Sequence, residues 1–334
     1  MASIRKVVIT EFGGVENVKV LTAICPPPPP GHVQITVEYA GFSGADVNMR
    51  KGTYPFQKKA PLIPGYCLVG KVKQNGEGCT AFQPGDIVAV LTKYDSESEL
   101  VNQPEKYCIR VPESVDRKQA AALVCDWNAA YGMVTHAAKV SKGQRVFIHG
   151  VSGAVGCAIM ILSKQLGAEV YGTASARNHD DIRAYGATPF VYTDKNWMGE
   201  MKRLGGAHAV FDPLGFESFD ESFDILSPDG ILVAYGNNKG SLEGDKNKSP
   251  MGSIMKLYAH NLNVMCGKRT TFFGLTRDSS MYKPNVTALL DMVKSGTITV
   301  PIKNVWDMED IQTAHRQWGG GSGIGSLLIK VAKD

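Results

Sequence analysis

Three glycines, Gly150, Gly153 and Gly156, follow the apolar run Val146-Phe147-Ile148 at the spacing G-x-x-G-x-x-G. Glycines placed so give a tight turn, a backbone open to a diphosphate and a close helix-strand contact, while the amides that open the following helix face an anion. The chemistry this permits is dinucleotide binding by Ser152, Gly153, Ala154 and Val155. The plain alternative is a strand-helix turn whose glycines serve packing alone. NAD sites usually carry a carboxylate about twenty residues further on. Here the second strand runs into Thr173-Ala174-Ser175-Ala176-Arg177-Asn178, with no acid at its end. A hydroxyl on Ser175 and a guanidinium on Arg177, with Asn178 beside them, suit a ribose 2′-phosphate, so the expected cofactor is NADPH. Against this stands the reading of Arg177 as an exposed loop residue at a weakly selective site.

Those residues need a scaffold that alternates strand and helix. After Gly153 the apolar positions Val155, Ala158, Ile159, Leu162 and Leu166 recur at helical spacing and Gly167 closes the helix. Strands follow at Val170–Thr173, Phe190–Tyr192, Val210–Asp212, Ile231–Tyr235 and Val264–Cys266, with helical segments between several of them. Such alternation demands right-handed crossovers and a parallel sheet, with the ligand beyond the strands' carboxyl ends. Before it, from Ile4 to about Arg110, short strands and turns read as a β barrel or sandwich, with a stiff connector at Pro26–Pro30 and a polar surface loop at Tyr94–Glu105. An alanine-rich helical stretch covers Gln119–Ala138. The tail offers a helix at Val286–Val293, a strand around Ile298–Val300, a helix near Ile311–Trp318, a glycine-rich turn and a last strand at Leu327–Val331, and is expected to fold back onto the β domain. The fold class is therefore α/β, and the expected domains are 1–126, 127–269 and a return at 270–334.

A chain of 334 residues, 43% hydrophobic and 20% charged, has the make-up of an ordinary globular protein. Its net charge of +4 comes from 36 basic and 32 acidic residues without a block of like charge, which argues against a nucleic-acid or membrane surface. Seven cysteines without a C-x-x-C pair suit free thiols in a reducing compartment, and the expected location is cytoplasmic.

The text resembles the medium-chain dehydrogenase/reductase superfamily, and within it the zinc-independent quinone oxidoreductase and enoyl reductase branch. The resemblance rests on Gly41-Phe42-Ser43-Gly44-Ala45-Asp46, Gly52-Thr53-Tyr54-Pro55, Pro64-Gly65, Pro84-Gly85-Asp86, the glycine segment at Gly150, Tyr235-Gly236-Asn237 and Gly325-Ser326-Leu327-Leu328. It implies a GroES-like β domain built from both chain ends, a Rossmann-like domain between them, and a nicotinamide at the cleft. It implies further that Tyr192 packs near the adenosine, that Tyr235, Gly236, Phe272 and Phe273 approach the nicotinamide, and that the protein is a homodimer. Where the zinc alcohol dehydrogenases of the superfamily hold their catalytic metal, this chain has Ser43, Tyr66 and Cys125. Catalytic zinc takes three protein ligands, so no metal is expected.

Without a metal to polarise a carbonyl, hydride passes most easily to a conjugated carbon, as in an enone, enoyl thioester or quinone. Tyr54 is the candidate hydrogen-bond donor or proton source, with Ser43, Asn48, Tyr66 and Cys125 around the substrate; the bland role for Tyr54 is an apolar wall. Asp46 reads as a residue that pins its loop. Against the branch pattern, Ser43 replaces a frequent asparagine, Cys67 a usual acid and Ala129 a common threonine. The competing function is an NADPH-binding protein with a structural, ligand-binding or non-redox role in the same cleft.

Overall fold

Val146, Phe147 and Ile148 have no solvent exposure, as a strand covered on both faces should. They lie in Arg145–His149, the first of six parallel strands. The computed structural model describes residues 2–243, 250–262 and 267–332. The chain divides into two units. One comprises Met1–Asn128, Leu275–Gly320 and Ser326–Asp334, the other Ala129–Gly274 and Gly321–Gly325.

In the second unit the sheet runs Thr188–Val191, Glu169–Ala174, Arg145–His149, Ala207–Asp212, Leu226–Ala234, Arg269–Phe272. Every neighbouring pair is parallel. By chain position this is the order third, second, first, fourth, fifth, sixth, the doubly wound arrangement, whose crevice opens where the order reverses, between Arg145–His149 and Ala207–Asp212. Phe147, Trp197, Met201, Phe219 and Leu232 pack one layer of its core. The strand expected at Val264–Cys266 lies outside the described residues.

The first unit carries a mostly antiparallel sheet ordered Ile302–Asp307, Ser326–Lys330, His32–Phe42, Cys67–Asn75, Ile87–Leu91, Ile109–Arg110, and a two-stranded sheet of Ala2–Ile9 with Val18–Cys25. The chain's end thus returns to the sheet laid down at its start. Two local expectations fail. Tyr94–Glu105 is no surface loop: Ser96, Glu97 and Ser98 are buried, and Leu100–Pro104 pairs with His32–Thr36. Polar composition misled because this segment buries its polar residues as well as Leu100 and Val101. The strand near Ile298–Val300 begins instead at Ile302, after Pro301, which has no ladder donor, while the Val300 amide donates to Gln119 Oε1 at 3.0 Å. The helical stretch expected at Gln119–Ala138 is present, with wider π-helical turns at Leu123–Trp127 and Gly132–Ala137.

Candidate active site

The residues expected to hold a dinucleotide follow the carboxyl ends of five of the six parallel strands. After Arg145–His149, Gly150 turns at a φ of 66°, and a Cβ on Gly156 would stand 2.3 Å from the Gly150 carbonyl oxygen. That contact is why the helix Ala154–Gln165 starts directly over the strand end. No side chain caps this helix, so the amides of its first turn are left for an anion. After Glu169–Ala174 come Ser175, exposed Arg177 and buried Asn178. Tyr192, 59% exposed, follows Thr188–Val191; Tyr235 and Gly236 follow Leu226–Ala234; Phe272 closes the last strand and Phe273 leaves it. The Phe273 ring packs on Gly132, whose missing side chain makes the room.

A segment that the sequence presented only as a glycine-rich turn joins this edge. Gly321 accepts from Arg177 Nε at 2.8 Å, the Gly323 amide donates to Asn178 Oδ1 at 3.2 Å, and the Gly325 amide donates to the Ser152 carbonyl at 3.2 Å. Gly321, Gly323 and Gly325 all have positive φ, so the run of glycines was the signal available. At the switch point, Asp212 is fully buried and accepts from Ser218 and Ser222 hydroxyls at 2.6 and 2.7 Å. His149, at the first strand's end, is buried against Phe147 and Trp197, and that burial holds its pKa below the usual histidine value. The imidazole is enclosed there, with its Nε2 3.9 Å from an Asp212 carboxylate oxygen.

In the first unit Ser43 caps the helix Gly44–Lys51. Its hydroxyl accepts from the Ala45 amide at 3.2 Å and donates to Asp46, whose other oxygen accepts from the Gly65 amide at 3.1 Å. Asp46 thus pins Gly65 beside Tyr66. Burial lifts the Asp46 carboxyl to about 6, and its hydrogen bonds oppose the rise. The hydroxyls of Tyr54 and Tyr66 are hydrogen-bonded to each other, with the rings edge to face at 5.9 Å. Burial raises both phenols above the ordinary tyrosine value, so both are protonated at neutral pH and one donates to the other. The Cys67 side chain, followed by burial, raises the Cys125 thiol well above the usual thiol value. Asn48 is half-buried on the same helix, and its carbonyl accepts from the Thr53 amide at 3.0 Å. Two further carboxyls went unnoticed in the sequence. Asp126 accepts from the Ser326 hydroxyl at 2.7 Å and is lifted to about 7 by burial; Glu97 is fully buried and raised by burial and by Asp46.

The pattern described as alcohol dehydrogenase GroES-like domain matches residues 29–115, and that described as zinc-binding dehydrogenase matches 154–289. The synaptic vesicle membrane protein VAT-1 homolog of Rattus norvegicus is 30% identical over 98% of this chain and 84% of its own length. The chain belongs to the medium-chain dehydrogenase/reductase superfamily, in its quinone oxidoreductase-like branch. Human quinone oxidoreductase is 25% identical, covering 97% of each chain. Among solved structures, a mycobacterial protein complexed with NADPH superposes with a TM-score of 0.86 at 24% identity (98% and 99% of the two chains), and the JamJ enoyl reductase with 0.85 at 20% (98% and 99%). The zinc in the second description is not matched by the donors present. Ser43 serves as a helix cap and Tyr66 is hydrogen-bonded to Tyr54, and a hydroxyl, a phenol and one thiol do not make a three-ligand zinc site. Among the described residues no group of three or more His, Cys, Asp or Glu is placed to hold a metal ion, and no helix is long and apolar enough to cross a membrane.

Proposed function

We propose that this superfamily member is an NADPH-dependent oxidoreductase that delivers hydride, without zinc, to an activated carbon-carbon double bond, in an enone or enoyl thioester, or to a quinone. The carrying observation is the carboxyl edge of the parallel sheet. It joins an uncapped helix N-terminus at Ala154 to the Arg177 guanidinium, with Ser175 where an NAD site carries an acid. The amides opening the helix at Ala154 would hold the diphosphate, Ser175, Arg177 and Asn178 the 2′-phosphate, and Tyr192 the adenosine. Tyr235, Gly236, Phe272 and Phe273 would border the nicotinamide. NADPH, when bound, supplies the hydride. Ser43, Asn48, Tyr66 and Cys125 would border the substrate, where the Tyr54-Tyr66 hydroxyl pair is suited to donate a hydrogen bond or proton to the enolate that hydride addition leaves. Tyr66 holds the Tyr54 hydroxyl in place and can return the proton. The reading includes a cytoplasmic homodimer; free thiols at Cys25, Cys67, Cys79, Cys108, Cys125 and Cys157 suit a reducing compartment.

The test is loss of NADPH absorbance with the purified protein and a panel of enones, enoyl thioesters and quinones. Sustained, acceptor-dependent oxidation supports the reading. Tight NADPH binding with no oxidation by any acceptor overturns it in favour of a binding or non-redox role.

A further inference from the structure

Where the chain leaves Arg145–His149, the Gly150 amide donates to Thr173 Oγ1 at 3.3 Å, on the neighbouring strand, and the Val151 amide donates to the Thr173 carbonyl at 3.0 Å. The Gly150 carbonyl accepts from the Gly153 amide at 2.9 Å and is the atom that a Cβ on Gly156 would strike. The conformation of Gly150, at a φ of 66°, therefore sets where the helix Ala154–Gln165 begins. Thr173 Oγ1 also stands 3.3 Å from His149 Nδ1, and both side chains are buried. Having accepted from Gly150, the hydroxyl still has its own hydrogen to place, and among the described residues the imidazole is the acceptor it meets. That leaves Nδ1 bare and puts the ring proton on Nε2, which faces the Asp212 carboxylate at 3.9 Å.

We propose that Thr173 and His149 are positioning residues for the dinucleotide, a buried strap that fixes the Gly150 turn and so aims the amides opening the helix at Ala154 toward the diphosphate. This rests on the reading of that turn as the nucleotide site. His149 orients the Thr173 hydroxyl by taking its hydrogen, Thr173 presents a lone pair to the Gly150 amide, and the Gly150 carbonyl carries the constraint to Gly153 and the helix start. Neither side chain need touch the nucleotide. The ring has to be neutral, since a proton on Nδ1 would make that atom a donor in competition with the Gly150 amide for the same hydroxyl oxygen. Enclosure against Phe147 and Trp197 favours the neutral ring. Asp212, held in place by the Ser218 and Ser222 hydroxyls and the Leu214 amide, favours the tautomer with its proton on Nε2. Because the diphosphate is common to both nucleotides, the strap serves NADPH and NADH alike, unlike Arg177.

Thr173→Val keeps the side-chain shape and removes the hydroxyl, Thr173→Ser keeps the hydroxyl, and His149→Leu removes the acceptor that orients it. Each full-length variant, checked for folding by circular dichroism, is titrated with NADPH and with NADH against intrinsic fluorescence, and hydrogen-deuterium exchange is followed in the peptide carrying Gly150. In Thr173→Val, exchange at the turn should quicken and both nucleotides should weaken by a common factor of about threefold to tenfold, the size expected for one buried neutral hydrogen bond. His149→Leu should lie between, and Thr173→Ser should match the unaltered protein; where His149→Leu does not fold, the valine and serine variants decide. Unchanged exchange or unchanged affinity in Thr173→Val would overturn the proposal, as would a serine variant no better than valine, or a loss confined to NADPH. If neither nucleotide binds the unaltered protein, the functional reading falls, whereas the exchange contrast, which needs no nucleotide, still decides whether Thr173 and His149 hold the turn.

Discussion

Removing the Arg177 guanidinium tests the assignment of the phosphate-bearing dinucleotide. The side chain is exposed, and among the described residues its Nε alone is bonded, to the Gly321 carbonyl at 2.8 Å, which leaves both terminal nitrogens for a phosphate. A charge-assisted hydrogen bond contributes about 1.5–3 kcal/mol, and at an exposed site the lower half of that range applies. Arg177→Ala should therefore weaken NADPH by roughly tenfold to thirtyfold, at about 1.4 kcal/mol per tenfold. NADH lacks the 2′-phosphate and meets only the second effect of the substitution, the loss of one tether on the glycine-rich segment. Asn178 still holds that segment through the Gly323 amide, and the lost guanidinium-carbonyl bond is exposed and does not touch the nucleotide, so NADH should weaken by less than about threefold. Arg177→Lys should fall between, keeping the charge and losing the planar fork. Titration of each nucleotide against intrinsic fluorescence or by calorimetry, at low and high salt, gives the four constants needed, and the preference for NADPH should shrink as salt rises. Equal weakening of both nucleotides would refute the reasoning, because Arg177 would then act through Gly321 alone.

The glycine segment offers a stability contrast. The Cβ of Gly156→Ala would meet backbone atoms at 2.3 and 3.0 Å and should cost about 1–3 kcal/mol, whereas that of Gly153→Ala meets only Gly150 O at 3.3 Å and should cost much less, as urea midpoints would show. Tyr54→Phe removes the proposed donor and should lower kcat by about tenfold to a hundredfold with an unchanged NADPH Kd; Tyr66→Phe, which only frees the Tyr54 hydroxyl, should cost less. Equal losses, or none, in steady-state assays would remove the pair from the mechanism. Asp126 is lifted to about 7 by burial, so its protonated form favours the fold. That contribution is complete below about pH 4 and is lost as pH rises through 7, a penalty of at most about 4 kcal/mol for the ionised state. Asp126→Asn should flatten the decline in stability between pH 5 and 8, measured by urea midpoints; an unchanged or steeper decline would contradict the burial argument.

The nucleotide-binding half was legible because its signals are local. A buried strand, a glycine turn and an amphipathic helix occupy one continuous stretch, and the crossover rule then orders the remaining strands around it. What the sequence hid was the partner of each piece. Gly321–Gly325 read as a turn until its amides and carbonyls were seen on Ser152, Arg177 and Asn178. Ser96, Glu97 and Ser98 read as surface because polarity predicts exposure on average, and the average fails where a fold encloses a carboxyl. Tyr54 and Tyr66 were each picked out, but the bond between their hydroxyls depends on where Asp46 fixes Gly65.

The two halves of the proposed site are therefore built differently, and this bears on why the acceptor is harder to name than the cofactor. On the nucleotide side the recognising groups are mainly backbone amides whose positions follow from where glycine is tolerated, so few substitutions alter them without disturbing the sheet. On the substrate side they are side chains, Ser43, Asn48, Tyr54, Tyr66 and Cys125, carried by a capped helix, a loop and a π-helical turn. Each can change while its element stays in place. The departures at Ser43 and Cys67 are of this kind: serine still caps its helix, and cysteine still fills the hollow beside Gly41. A carboxylate at Cys67, by contrast, would join Asp46, Glu97 and Asp126 as a further buried acid in the same unit. Its burial would be costly without a cation, which gives a physical reason for a neutral side chain at that position.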